Sequence, residues 1–483
     1  MHDVLTYPFY LLSKPVIPSR FSKERAKVQD FFDMCKKKCN FAAEMRKLLL
    51  IVLTFAFCAP AVWAAESESQ KPEKKKLDID YRVSFRGGLI MNDLMKNDKL
   101  DKFSPDHNPT FAGEFAVTFH PDWQALHEWN DAAVGVALSY YNFGDAVKLG
   151  HAIAPYAFMD IPLVRVPHFI LGLRLGLGVG FLTKTYFNTV PEGHEYKDMG
   201  YIAEDGTNLR ANECIGSVFN FHFPEAVYLE FPIKDGWCIT AGGGWYHFSN
   251  GSTVQPNTGY NVFAGEIGAR YVPPTNAEPR PCWSKNPDSR KKNWEVEIAW
   301  AGAARQVYYR DQQTFFGFAL QAAAYWRAHN VFRLGGGVDL FYDNSYVPRE
   351  TKFGKTNVAA ARANGADCWR LGLSIQPELV VGKLTCGFHI GAYMIDGVKN
   401  LEFDKNYATE AQQTEWETTG RVTKGVFYAY DIASAGQGGK PDGWLYTQLV
   451  LRYHLPWHIF IQGNMKTHMS KVEFVCLGIG AWL

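Results

Sequence analysis

The residues of this chain best suited to chemistry are His247-Phe248-Ser249, followed by Asn250-Gly251 and, after four intervening residues, by Pro256-Asn257-Thr258-Gly259. A serine hydroxyl is a weak nucleophile until a base takes its proton, and imidazole, with a pKa near neutrality, is the usual base. The chemistry suggested is attack on a carbonyl. Alternation along a strand puts His247 and Ser249 on one face with Trp237, Ile239, Ala241, Gly243 and Trp245, while Cys238, Thr240, Gly242, Gly244 and Tyr246 face the other way. A possible base and nucleophile therefore project from a face that suits lipid. Taken alone, His-x-Ser carries little information, because His at a membrane boundary and Ser-Asn-Gly in a turn are ordinary rim chemistry.

The elements that would position this pair are strands. From Tyr81, period-2 alternation runs almost to the end of the chain: Tyr81, Val83, Phe85 and Leu89 alternate with Arg82, Ser84, Arg86 and Gly88, and Phe111, Phe115, Val117 and Phe119 with Ala112, Glu114, Ala116 and Thr118. Similar runs lie near 132–142, 151–165, 168–184, 217–233, 236–249 and 260–272, giving eight strands of membrane-crossing length. Connections after odd strands are often long and polar, as in 92–108 and 186–216, and those after even strands shorter, as in 164–167 and 233–236. Long external loops with short periplasmic turns are the outer-membrane barrel pattern, and they place His247 and Ser249 at the external rim of strand seven.

Residues 273–292, Pro-rich and charged, interrupt the alternation. It resumes at Trp294, Val296, Ile298 and Trp300 and continues near 314–328, 331–343, 368–382, 384–395, 443–455, 458–467 and 471–483, a second set of eight. The halves end in related hairpins, Gly-Glu-Ile-Gly-Ala-Arg at 265–270 and Leu-Gly-Ile-Gly-Ala-Trp at 477–482, which reads as a tandem duplication. The expected fold is all-β: an antiparallel up-and-down transmembrane barrel system of about 16 strands. Inward positions such as Ala133, Gly135, Ala137, Ser139, Gly242, Gly244, Ala264 and Gly268 are small, with occasional charges at Glu114, Glu266 and Arg270. That favours two filled eight-stranded barrels over one barrel of sixteen strands. A soluble sandwich with one exposed face is the competing architecture. The many outward aromatics, the apolar leader and the loop asymmetry speak against it.

The leader is a basic start at Met45-Arg46-Lys47, an apolar run from Leu48 to Val62 and a small-residue cleavage site at Val62-Trp63-Ala64. It reads as a cleavable signal peptide at 45–64 preceded by an over-extended start at 1–44 and followed by a Lys-rich spacer at 65–80. Bulky Phe57 before Cys58 disfavours a lipid anchor. The expected domains are then 81–272 and 293–483 with a periplasmic linker at 273–292. Export, strands and the aromatic C-terminus at Trp482-Leu483 imply the outer membrane of a Gram-negative bacterium, reached with its barrel-assembly machinery as partner. A formal charge of +1 and the absence of recognition motifs exclude nucleic acid as the expected partner. Cys214, Cys238, Cys282, Cys368, Cys386 and Cys476 are scattered without metal-ligand spacing and assign no disulfide.

His247-Phe248-Ser249-Asn250 followed by Pro256-Asn257-Thr258-Gly259 resembles the signature of the lipid A 3-O-deacylase family, the acyloxyacyl hydrolase-like outer-membrane esterases: His-x-Ser-Asn, then Pro-Asn-x-Gly at this spacing. The matching architecture covers 81–272. The resemblance implies an eight-stranded barrel that removes an ester-linked acyl chain from lipid A of lipopolysaccharide in the outer leaflet, without metal or organic cofactor. It makes Ser249 the nucleophile and His247 the general base, assigns oxyanion donors to the Asn257 side chain and the Ser252 N–H, and leaves Asn250 to shape the turn. Where the family commonly has Glu, fourteen residues after the His, this chain has Asn261, on the same lipid face as Phe263, Gly265 and Ile267. An amide oxygen can fix the imidazole tautomer but cannot stabilise imidazolium as a carboxylate does.

His468-Met469-Ser470 is a faint echo on the more polar face of its strand, without the downstream loop, and reads as a vestigial structural element. His194 with Glu192, Glu195 and Asp198, and Glu402 with Asp404 and Glu410, are acidic loop clusters without a coordination loop and read as solvated faces. Two functions stand: an outer-membrane serine esterase acting on lipid A or a related glycolipid among the membrane lipids, and a non-catalytic barrel serving as a small pore or surface-binding scaffold.

Overall fold

The structure is a computed structural model, and it describes residues 78–91, 108–189, 212, 214–273, 294–306, 314–346, 350–351, 354–355, 361–362, 368–397, 402–403, 418, 445–468 and 471–483. The leader, the spacer to residue 77, residues 274–293, His194 and its acidic neighbours, Cys282, Asp404, Glu410, Met469 and Ser470 lie outside them. So do the side chains of Glu402 and His468.

The first eight strands are β1 (Asp78–Ile90), β2 (Asn108–His120), β3 (Ala133–Asn142), β4 (His151–Val166), β5 (Phe169–Leu182), β6 (Phe219–Pro232), β7 (Trp237–Ser249) and β8 (Tyr260–Tyr271). Each pairs antiparallel with the next, and β1 pairs with both β2 and β8, closing a barrel. The second set is β9 (Trp294–Arg305), β10 (Phe315–His329), β11 (Phe332–Asp343), β12 (Trp369–Val381), β13 (Leu384–Asp396), β14 (Leu445–His454), β15 (Ile459–His468) and β16 (Lys471–Trp482). It closes likewise, through β9 against β10 and β16. The architecture is thus two closed eight-stranded antiparallel barrels. Among the described residues no helix is long and apolar enough to cross a membrane. The connections mostly alternate in length as the sequence suggests, with two exceptions within the barrels: residues 121–132 after β2 contain a one-turn helix, Gln124–His127, and outlast the 143–150 connection after β3, and the 469–470 connection after β15 is shorter than 455–458 after β14.

Period-2 burial follows from the pleat. On β1, Val83 is 60% exposed beside Arg82 at 2%. Outward positions form an apolar belt around each barrel, with Phe85, Phe115, Ile239 and Ile267 on the first and Val296, Ile298, Trp300 and Ile375 on the second. The inward positions are small on some strands and bulky on others. A Cβ on Gly135 would come within 2.3 Å of the Phe158 ring, so the missing side chain on β3 is what lets β4 put an aromatic across the lumen.

Charge inside the barrels is denser than the occasional residues the sequence suggests. Arg86 binds Glu114 and donates to Glu266 at 2.6 Å, while Arg174 grips Asp160 at 2.7 and 2.8 Å and reaches Glu114 at 3.0 Å. Below them Arg82 and Arg270 share Glu230. In the second barrel Glu378 takes Arg333, Arg452, Tyr325 and His389. These networks join residues far apart in sequence, and small inward neighbours leave room for them. Buried charges persist because each is paired.

Residues 77–483 form one compact unit, and hydrogen bonds join the two barrels at both ends. At the short-turn end Trp129 Nε1 donates to the Val380 carbonyl at 2.9 Å and Asn330 Nδ2 to Glu128 at 3.1 Å. At the other end the 250–259 connection meets residues 306, 472 and 475.

Candidate active site

The candidate site begins with a single row across three strands. Pairing sets Phe223 of β6 opposite His247 of β7, and His247 opposite Asn261 of β8. Because register fixes parity, all three side chains emerge on the outer face of the first barrel. His247 Nδ1 and Asn261 Oδ1 lie 2.8 Å apart. Trp245, two residues back on the same face, stacks on the imidazole with centroids 5.0 Å apart, and its Nε1 donates to the same Asn261 oxygen at 3.0 Å. Phe223 flanks the ring from the other side at 6.1 Å.

That indole bond fixes the protons. Indole N–H only donates, so the Asn261 atom it meets is the oxygen; the same oxygen faces His247 Nδ1, which must therefore carry the hydrogen. The imidazole is then the tautomer whose Nε2 has a free lone pair, the form a general base needs.

Ser249 is two residues further along the same face but only 3% exposed, because the 250–259 connection folds over it. Its Oγ accepts from Asn257 Nδ2 at 2.9 Å and from the Gly251 N–H at 3.2 Å. Asn257 Oδ1 accepts the Asn250 N–H at 3.0 Å and lies 3.3 Å from Ser249 Oγ. A backbone N–H cannot accept, so the Asn257 amide is oriented with its NH2 toward the serine. Among the described residues Ser249 makes no hydrogen bond to His247; the structure brings Ser249 to Asn257 and His247 to Asn261, with the two pairs adjacent along β7.

Asn250 turns away from the serine, its Nδ2 donating to Ser217 Oγ at 2.9 Å and to the Val254 carbonyl at 2.8 Å, which closes the loop. Ser252 has φ 66°, and its hydroxyl donates to the Val472 carbonyl at 3.0 Å. Across the loop, Ile215 bridges Asn257 and the Gly259 N–H donates to the Cys214 carbonyl at 3.0 Å. Gly259 has φ +76°, and a Cβ there would lie 2.6 Å from the Phe248 carbonyl and 2.8 Å from His247 Cε1. Only a glycine lets the chain turn so close to the imidazole.

Behind the strand, an inward residue that sequence reasoning passed over supports the site. His222 stacks on Phe248 at 4.2 Å, and its Nδ1 lies 3.2 Å from the His247 carbonyl, so the neutral ring donates there. Phe223 and the stacking role of Trp245 were also missed; the strand pairing of Phe223 and the parity of Trp245 were available signals, while Gly259 stands in the Pro-Asn-x-Gly motif. Among the described residues no group of three or more His, Cys, Asp or Glu is placed to hold a metal ion. Cys238, Cys386 and Cys476 are free thiols.

A closed barrel girdled by apolar side chains and filled by ion pairs is an outer-membrane β-barrel, here with a His, Ser and Asn constellation on its outer rim. Residues 112–270 match the family model of the lipid A 3-O-deacylase (PagL), and residues 294–423 match that of the acyloxyacyl hydrolase C-terminal domain, together more than half of the chain. The chain belongs to the lipid A 3-O-deacylase family, whose members hydrolyse an ester bond. No curated protein matches it. Among solved structures, a Rhodopseudomonas blastica porin mutant aligns at 8% identity over 84% of this chain and 100% of its own, with a TM-score of 0.16. The FrpB iron transporter from Neisseria meningitidis aligns at 10% identity over 85% of this chain and 70% of its own, with a TM-score of 0.21. Superposition at that level carries no weight for the site.

Proposed function

We propose that the protein is an outer-membrane serine esterase that removes an ester-linked acyl chain from lipid A or a related glycolipid in the outer leaflet. Ser249 Oγ attacks the acyl carbonyl while His247 Nε2 takes its proton. Asn257 Nδ2, already within hydrogen-bond distance of the serine oxygen, donates to the developing oxyanion. Collapse expels the sugar oxygen, which takes the proton back from His247, and leaves the acyl group on Ser249. Water, deprotonated by His247, then attacks the acyl-enzyme and releases the fatty acid. Asn261 holds the imidazole in the reactive tautomer throughout. One donor of this kind is worth about a hundred- to a thousandfold in rate.

The observation that carries this reading is the Phe223–His247–Asn261 row with Ser249 beside it on the lipid-facing side. The half-buried His247, Asn257 and Asn261 give the ester its approach to the covered serine. Filled lumens, with Arg82, Arg86 and Arg333 almost wholly buried, argue against a conducting pore. The same reading keeps residues 45–64 as a signal peptide and the two halves as products of duplication, with the assembly machinery as partner. Mass spectra of lipid A from cells carrying wild type or Ser249→Ala provide the test. Loss of one ester-linked acyl chain with wild type alone is expected; identical acylation at equal expression would sink the proposal.

A further inference from the structure

The half of the chain without a complete motif touches the site through the 250–259 loop. Gln306, directly after β9, donates its N–H to the Ser252 carbonyl at 2.8 Å. Its side-chain Oε1 accepts the Gln255 N–H at 3.1 Å, and its carbonyl accepts from Gln255 Nε2 at 3.3 Å, a two-point clasp. Gln255 Oε1 in turn accepts the Asn257 N–H at 3.1 Å. The bonds thus run from Gln306 of the second barrel through Gln255 to Asn257, whose amide meets Ser249 at 2.9 Å.

Two further contacts pin the near side of the loop. Ser252 donates to the Val472 carbonyl at 3.0 Å, and Gly251 lies so close to Val475 that an added Cβ would fall 2.2 Å from its Cγ2. Ser252, with φ 66°, holds a left-handed conformation that a side-chain-bearing residue keeps only where its surroundings enforce it. Both of its bonds to the second barrel do so. On the first barrel the loop is held by the Cys214–Gly216 segment and Ser217.

We infer that the second barrel is a working part of the esterase site: through Gln306 it positions the Asn257 amide that stabilises the oxyanion, making Gln306 and Gln255 positioning residues. This rests on the esterase reading of Ser249. An oxyanion donor must be in place before charge develops, because reorganisation during reaction forfeits much of its benefit. The first barrel ties the loop at Asn250, Asn257 and Gly259, which leaves the 251–255 stretch before Asn257 to be held by the second barrel. Docking of Ser252 and Gln255 on a second rigid barrel restrains that stretch, which gives the motif-poor half a role at the site.

The test uses the full chain refolded in detergent, with heat-modifiable migration as the check of barrel folding. Gln306→Met keeps volume and both backbone bonds but removes the acceptor for the Gln255 N–H; Gln306→Glu keeps an acceptor oxygen. Two rates are read: hydrolysis of a short-chain aryl ester, and covalent labelling of Ser249 by a fluorophosphonate, whose tetrahedral adduct uses the same donors. For Gln306→Met both should fall about fivefold, the weight of one hydrogen bond, in kcat with KM unchanged. Gln306→Glu should recover most of the loss. Ser252→Ala, which loses the Val472 tie but keeps its backbone N–H, should fall in the same direction. Labelling of wild type at Ser249 with Gln306→Met equally fast, or a loss confined to KM, overturns this inference alone. No labelling of folded wild type at Ser249 overturns the esterase reading and this inference with it.

Discussion

Asn261→Asp isolates the electrostatic part of the proposed mechanism, because it changes the group beside His247 from an amide to a carboxylate without changing its length. In the structure one Asn261 oxygen accepts from both His247 Nδ1 at 2.8 Å and Trp245 Nε1 at 3.0 Å. A carboxylate oxygen can accept both. What changes is the interaction with the imidazolium that forms as Ser249 loses its proton. A neutral hydrogen bond contributes about 0.5–1.5 kcal/mol net and one to a charged group about 1.5–3 kcal/mol, a gain of roughly 1–1.5 kcal/mol in the transition state. Unit charges this close would interact more strongly, but a half-covered carboxylate also loses hydration, which offsets much of the difference. The expected result is a rise in kcat of roughly five- to twelvefold, measured as initial rates of fatty-acid release in detergent micelles. Asn261→Ala, which frees the tautomer, should lower kcat about tenfold or more. If Asn261→Asp folds and its rate equals or falls below that of wild type, Asn261 does not act through the imidazole.

The remaining expectations concern geometry and the barrel. Gly259→Ala combines a positive φ with a Cβ 2.8 Å from His247 Cε1, and a displacement of that size at a catalytic group costs about a hundredfold in kcat while heat-modifiable migration is retained. Arg86→Met leaves Glu114 and Glu266 without their shared cation and should lower unfolding stability in urea by about 3–5 kcal/mol, read from the midpoint shift of the refolded protein in lipid. Ile267→Arg places a charge on the lipid face at a position 62% exposed and should cost about 2–4 kcal/mol in the same titration, whereas Thr258→Arg in the connection should be nearly neutral.

The strand framework was legible because lipid outside and a filled lumen inside impose alternation on every crossing. The run expected at 236–249 is Trp237–Ser249, and that at 384–395 is Leu384–Asp396. The choice of two barrels also followed from small inward residues such as Gly135 and Gly242. What periodicity could not show was which inward charges meet: Arg86 reaches Glu266 across 180 residues, and only the closure of β1 on β8 brings them together. At the site, parity put His247, Ser249 and Asn261 on one face. It gave no sign that Ser249 is covered, since its cover is a loop whose support, Gln306, lies 51 residues beyond Gln255 in the other barrel. The one-turn helix at Gln124–His127 was likewise hidden, being too short to impose a period.

The most direct test of the central claim, that Ser249 is an activated nucleophile, is to quench the purified, folded protein during turnover of lipid A and weigh the peptide that contains residue 249. A fatty-acyl mass increment on Ser249 is expected in wild type, little or no adduct with His247→Ala because the serine then lacks its base, and neither adduct nor fatty-acid release with Ser249→Ala. Release of fatty acid by folded Ser249→Ala at the wild-type rate, with no acyl group found on the peptide from wild type, would contradict it.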